Sequence, residues 1–413
     1  MNCRTCGSNE LLLLHDFGML PVAGYLVDTR QQAGAEVKFQ SRLVFCAKCG
    51  LVQQDGESFK EVLVNKVYSN YRPTYSMSSR VREYMLGFID EAVSFSGGIR
   101  NNDIVLEIGS NDGSMFDILR SKCFRPAGID PSATQPRDHE DAGIVVRDYF
   151  GEHVARIFAE KHGRIKLLYS RHTLEHVFDP VEFMKAISIV LADRGVAVIE
   201  VPYLPFQLSG NQFAAMTFQH ISFFSYASLS YLAQSSGLTI LGAKPSKMDG
   251  GSIIIFLGKS SGSPISRLRA TEGLLELESM SGVNSYPGLL ARFKEIGQSI
   301  SLIKEYILLL KSKSYRVVGY GAGAKGQALL NMAGLSYDLM PCVIDDTPGS
   351  GGMYIPGVGS EVVDSADSRL SEADIVLITA PTHVDEIVAK EYRRHPNIGF
   401  IRTSPNLGYV SNF

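Results

Sequence analysis

Two carboxylates inside a glycine turn are the first residues here whose types and spacing could do chemistry. Ile104, Val105, Leu106 and Ile108 form a short apolar run, the loop Glu107-Ile108-Gly109-Ser110-Asn111-Asp112-Gly113 ends it, and Met115, Phe116, Ile118 and Leu119 resume at helical spacing. The segment therefore reads as strand, turn, helix. A second strand, Ala127 to Ile129, ends on Asp130 roughly 20 residues beyond the glycines, where a carboxylate can accept both hydrogen bonds of a ribose diol. A dinucleotide would need Gly-x-Gly-x-x-Gly to bring a pyrophosphate against the helix N-terminus. Acids in the loop repel phosphate but pair with an ammonium or hold ordered water, so the turn suits one nucleoside.

The six cysteines divide by spacing. Cys3-Arg4-Thr5-Cys6-Gly7 and Cys46-Ala47-Lys48-Cys49-Gly50 are two knuckles, each aiming two thiolates at one point with a glycine that permits the turn. Together they predict one tetrahedral structural zinc site with no open position for a substrate. A disulfide reading needs an oxidising compartment, and a redox motif would not be expected twice. Cys123 and Cys342 stand alone in apolar contexts and are expected to be core thiols.

The elements that must position these groups alternate along the chain. After Asp130, Ile144 to Arg147 reads as a third strand ending at Asp148-Tyr149-Phe150. Lys166 to Tyr169 is a fourth, followed by Arg171, His172, Leu174-Glu175-His176 and Asp179-Pro180. Gly195 to Val201 is a fifth, ending at Pro202-Tyr203. Strands separated by helical segments mean a parallel sheet with ligands beyond its carboxyl ends, which places His172, His176 and Tyr203 near the cleft. Ahead of this unit, Tyr68, Tyr71 and Tyr75 precede a helix beginning near Ser78. The phenols either pack or donate to a developing oxyanion. Behind it, the run from Asn211 through Phe218, Gln219 and His220 to Ser225 interleaves polar and aromatic residues as a substrate wall would. Gly250-Gly251 would let backbone approach a ligand closely. A helical stretch from Ala270 to Leu310 reads as a connector. From Tyr315 a second α/β unit opens, with Gly321-Ala322-Gly323-Ala324-Lys325-Gly326 after a strand and Asp345 after the next. That loop is read as holding a phosphate or pyrophosphate.

At 413 residues the chain is long enough for two or three domains, and the reading divides it at 1–66, 67–240 and 241–413. A net charge of −3 leaves no electrostatic footprint for nucleic acid. The polar N-terminus and the lack of a long apolar run predict a cytoplasmic protein with no membrane partner, monomeric or weakly dimeric.

The loop Glu107 to Gly113 resembles motif I of the class I S-adenosylmethionine methyltransferases. In these the glycines face the methionyl part, the acid after the second strand holds the ribose, and an acid and aromatic after the third, here Asp148 and Tyr149, hold the adenine. Taken with the zinc knuckles and the C-terminal glycine loop, the whole chain resembles the nucleotide-sugar C-methyltransferases that act on dTDP-4-keto-6-deoxy sugars. The resemblance implies an α/β fold: a small zinc-binding domain, a class I Rossmann-like methyltransferase core, and a C-terminal Rossmann-like domain that encloses substrate without redox chemistry. It implies S-adenosylmethionine and structural zinc as cofactors and a small nucleotide sugar as partner. The family's Tyr-x-Glu-His stretch falls on Thr217, Gln219 and His220, with His220 as the base that generates an enolate. His176, Tyr71, Tyr75 and Gln219 would assist it. Tyr203, Asn211, Phe218, Gly251, Gly321, Gly323 and Lys325 would contact substrate. Alternatives are an O- or N-methyltransferase, which needs no enolisable ketone, and a zinc-stapled scaffold without catalysis.

Overall fold

The computed structural model describes residues 1–68, 79–132, 143–260 and 270–410. Three sheets organise the chain. In the largest, seven strands run in the order Leu238–Ser246, Ser252–Lys259, Leu191–Pro202, Ile165–Arg171, Ile104–Ile108, Arg125–Ile129 and Ile144–Val146. Ser252–Lys259 is antiparallel to both neighbours, and the other pairings within this sheet are parallel. Central strands such as Val105-Leu106 and Leu167-Leu168 are buried on both faces, which is why they read as unbroken apolar runs. The sheet continues through Lys259, past the division expected at 240. The run Ile253 to Leu257 finds its partner in Ala197 to Val201 of the same sheet.

A second sheet joins Leu11–Pro21, Lys38–Cys46 and Val52–Gln54 antiparallel. Its fourth member is Ser222–Phe223, from the stretch that follows the fifth strand of the large sheet. The zinc-binding unit thus takes the substrate-wall segment as its own edge strand.

The third sheet orders Glu361–Val363, Cys342–Ile344, Val317–Tyr320, Ile375–Ile378, Gly399–Arg402 and Gly408–Tyr409, parallel except for the last. The connector is two helices, Ala270–Ser281 and Tyr286–Ser312, divided at Gly282 in the left-handed region (φ 75°) and restarted by the Ser285 cap on Gly288. The longer helix buries Leu289, Phe293, Ile296, Ile300, Ile303, Ile307 and Leu310. These alternating steps of four and three keep one apolar stripe facing the core it shares with the N-terminal and C-terminal sheets. Cys342 is buried as expected, whereas Cys123 is exposed because it ends a helix in a left-handed turn (φ 62°).

Candidate active site and metal centre

Each cysteine knuckle closes by a backbone bond, Gly7 N–H to Cys3 O and Gly50 N–H to Cys46 O, both 2.9 Å, with the glycines at φ 68° and 77°. The four sulfurs lie within 4.8 Å of one another, with Cys3–Cys49 and Cys6–Cys46 at 3.4 Å. Thiolates about 2.3 Å from a zinc ion define a tetrahedron with edges of about 3.8 Å, so the residues fit the metal.

The donor loop is built as its composition requires. Gly109 sits at φ 80°, and a Cβ there would meet Thr173 Oγ1 at 2.2 Å, so only glycine fits. Asp130 accepts from Asn111 N–H at 3.0 Å and Ser132 N–H at 2.7 Å, which clamps the loop. Asp112 accepts from Ser114 N–H at 3.0 Å in an Asx turn. Glu107 is buried, and its Oε2 has no hydrogen-bond partner among the described residues. Burial raises its pKa to about 8 against the opposing pull of Tyr169 and Arg171, with Asp130 and Asp112 adding to the rise. A buried carboxyl short of a partner, beside a ribose-type acid, is one that an incoming ammonium would ionise and pair with, which fits the methionyl end of S-adenosylmethionine. Ser110 is buried, its hydroxyl without a partner among the described residues, while Asp148 and Tyr149 are exposed. Burial, then the Asp130 carboxylate, raises the Tyr149 pKa.

Beyond the fourth strand the chain makes a tight turn, His172 entering the left-handed region (φ 48°) with its N–H bonded to Glu200 O at 2.9 Å. Leu174–His176 forms one short helical turn, and the Asp179 cap with Pro180 starts the next helix, Pro180–Val190. Glu175 and His176 are thereby held at the carboxyl end of the sheet. Facing them, the loop from Thr217 to Phe224 is fixed by Gln54, whose side chain donates to Thr217 O (3.1 Å) and whose N–H donates to Ile221 O (3.0 Å). The Ile221 N–H reaches Glu175 O at 2.8 Å. These bonds set the His176 and His220 rings edge to face, 5.0 Å between centroids.

Within this cluster, His176 Nδ1 lies 2.7 Å from Gln219 O, which fixes the proton on Nδ1; Nε2 is 3.9 Å from Glu175 Oε1. Tyr68 also donates to Gln219 O, at 3.3 Å. His220 is partly exposed, and its Nδ1 has no partner among the described residues. Desolvation, then His176, holds its pKa below the ordinary imidazole range, so it is neutral. Glu175 is buried, which alone would raise its pKa. The hydrogen bond from His172, with the electrostatic pull of the neighbouring imidazoles, outweighs that and holds its pKa well below the usual carboxylate range. Lys325 adds electrostatically to the lowering of the His220 pKa.

Several expected contacts serve the fold instead. Gln219 does not address His220 through its side chain. Its Nε2 donates to Ala23 O at 2.8 Å, and Gly24 N–H in turn bonds Gln327 Oε1 at 2.8 Å. Tyr203 is fully buried with its hydroxyl donated to Glu278 at 2.9 Å, because the fifth strand carries it under the connector. Phe218 packs on Phe59, 4.6 Å between centroids, and belongs to the core. Asn211 turns its N–H onto Leu208 O (3.1 Å). Gly251, at φ 116°, admits the Phe206 ring, which a Cβ would meet at 2.7 Å. Gly321 (φ 111°) lies against Ala380, while Gly323 has open space at its Cβ position and caps the helix Ala324–Met332. Tyr71 and Tyr75 lie outside the described residues. Sequence reasoning passed over Glu175 and Gln54 as site builders. Glu175 stands three residues after His172 and beside His176, but nothing in its local pattern tells a buried carboxylate from a solvated one.

The sheet order, the acid-bearing glycine loop and the single-nucleoside geometry define an S-adenosylmethionine-dependent methyltransferase of class I fold. Residues 3–63 match the family described as a putative zinc binding domain, 78–242 a methyltransferase domain, and 247–403 a C-methyltransferase C-terminal domain. The three matches follow one another along most of the chain, a zinc-binding domain ahead of a methyltransferase domain and a C-methyltransferase C-terminal domain. It is 29% identical over 391 residues to the C-methyltransferase NovU of Streptomyces niveus, covering 94% of this chain and 91% of that one. Among solved structures, an S-adenosylmethionine-dependent methyltransferase from Anabaena variabilis is 14% identical, with a TM-score of 0.35, over 49% of this chain and 91% of that one. The Burkholderia thailandensis 1,6-didemethyltoxoflavin-N1-methyltransferase is 12% identical, with a TM-score of 0.35, over 53% and 96%. Among the described residues, no helix is long and apolar enough to cross a membrane.

Proposed function

We propose that this enzyme methylates a carbon next to the ketone of a nucleotide-linked keto-deoxysugar, of the dTDP type, with His220 as the base. One observation carries the reading: an imidazole nitrogen without a partner among the described residues stands in a cluster with a buried carboxylate and a second imidazole. A carbon acid needs its proton removed before it is nucleophilic, and a neutral histidine has the lone pair to do so. As His220 takes the proton, Glu175 stabilises the imidazolium. The Gln219 amide, spent on Ala23, does not provide that charge. Tyr71 or Tyr75 is assigned as donor to the enolate oxygen, and His176, its Nδ1–H held by Gln219 O, is assigned to positioning His220. Lys325 and the N-terminus of the helix Ala324–Met332 are assigned to the sugar nucleotide's diphosphate.

Glu107 is assigned to the ammonium and Asp130 to the ribose of S-adenosylmethionine, which when bound supplies a methyl on an electron-poor sulfur. Placement of the two ligands by these residues supplies much of the rest of the rate. The name of the Streptomyces relative, a C-methyltransferase, supports carbon as the acceptor. In D₂O without methyl donor, the enzyme should exchange the proton next to the ketone of a dTDP-4-keto-6-deoxy sugar, and His220→Asn should lose both exchange and methylation while still binding donor. A variant that retains both refutes the assignment.

A further inference from the structure

Outside the cysteine centre, among the described residues, one other group of side chains has metal-ligand geometry. Glu175, His176 and His220 offer one carboxylate oxygen and two ring nitrogens that all lie within 4.8 Å of one another. Glu175 is buried, 2% exposed, and its Oε2 is unpartnered among the described residues, as is His220 Nδ1. His176 already has the outer contact common in metal-bound histidines: its Nδ1 bonds a backbone carbonyl, Gln219 O at 2.7 Å, which leaves Nε2 directed to the cluster.

From this geometry we infer that Glu175, His176 and His220 form a second metal site, one that takes a borderline divalent transition ion such as Co²⁺, Ni²⁺ or Zn²⁺. Two imidazoles and a carboxylate match the donor preferences of these ions better than those of Mg²⁺ or Ca²⁺, which favour oxygen alone. Bonds of about 2.1 Å require donor atoms about 3–3.5 Å apart, so the side chains would draw together by roughly 1 Å. An ion there occupies the His220 lone pair, so on the reading above it shuts methyl transfer off. The site itself follows from the three side chains and stands without that reading.

The test is a Co²⁺ titration of tag-free, zinc-loaded enzyme followed by visible absorption. The expected result is one cobalt beyond the retained structural zinc, with d–d bands but without the thiolate-to-cobalt charge-transfer band that exchange into the cysteine site would give. Glu175→Gln, His176→Asn and His220→Asn should each weaken this binding at least about tenfold. His15→Asn, far from the cluster in the chain and packed on Phe17, should leave it unchanged. Retained zinc and an unaltered circular dichroism spectrum identify variants that fold. Failure of the wild type to bind a second cobalt, or binding that survives all three substitutions, overturns the inference. Loss of exchange in His220→Asn with undiminished cobalt binding overturns the metal site alone and leaves the function standing.

Discussion

Replacing Gln219 by the glutamate of the resembled family should weaken this protein, because the amide does work that a carboxylate cannot. Its Nε2 donates to Ala23 O at 2.8 Å in a buried setting, and since the partner is a carbonyl, the nitrogen must face it. A Cβ built on Gly24 would fall 2.1 Å from that nitrogen, so there is no room for a water to substitute. Gln219→Glu puts two acceptors against each other. The lost bond and the unsatisfied carbonyl cost about 1–3 kcal/mol, and burial of the new charge adds to this. Such a carboxyl has a folded pKa above its unfolded value of about 4.3, and protonated it can still donate to Ala23 O. The penalty is therefore small below that pH and grows as pH rises towards the folded pKa. Thermal unfolding at mildly acidic and at alkaline pH is the assay, with about 2–4 °C lost per kcal/mol for a cooperative unit of a few hundred residues. The variant's deficit should be larger at the alkaline pH. A midpoint equal to wild type there, or faster methylation, would show that Gln219 is not the tie between these units.

Asp130→Ala should weaken S-adenosylmethionine binding at least about tenfold by calorimetry, a loss on the order of 1.5–3 kcal/mol for a charged acceptor that also clamps Asn111. An unchanged dissociation constant would misplace the nucleoside. Glu107→Gln should lower donor affinity by a similar factor, because the amide cannot ionise to become the ammonium's counter-ion, while adenosine, which has no ammonium, should bind both forms alike. Freshly purified protein should contain one zinc per chain, and Cys46→Ser should lower zinc content and solubility before it lowers turnover per folded molecule, as elemental analysis alongside activity would reveal.

Short-range pattern in the sequence was enough for everything that depends on neighbouring residues. The two cysteine knuckles, the Gly109 turn, the strand ending on Asp130 and the second glycine loop at Gly321 each announce themselves because a turn, a cap or a φ above zero constrains which residues are allowed within a few positions. Tertiary structure alone decided which distant segments share a cavity. Ser222–Phe223 joins the zinc-binding sheet through Val52 and Gln53, and that pairing holds His220 against His176 and Glu175. Tyr203 and Phe218 lie in apolar stretches near the expected cleft, and only the packing of Glu278 and Phe59 over them turns both into core. Gln219 looked like a weakened catalytic glutamate. Its side chain's direction depends on Ala23, nearly two hundred residues away, and no local pattern carries that information.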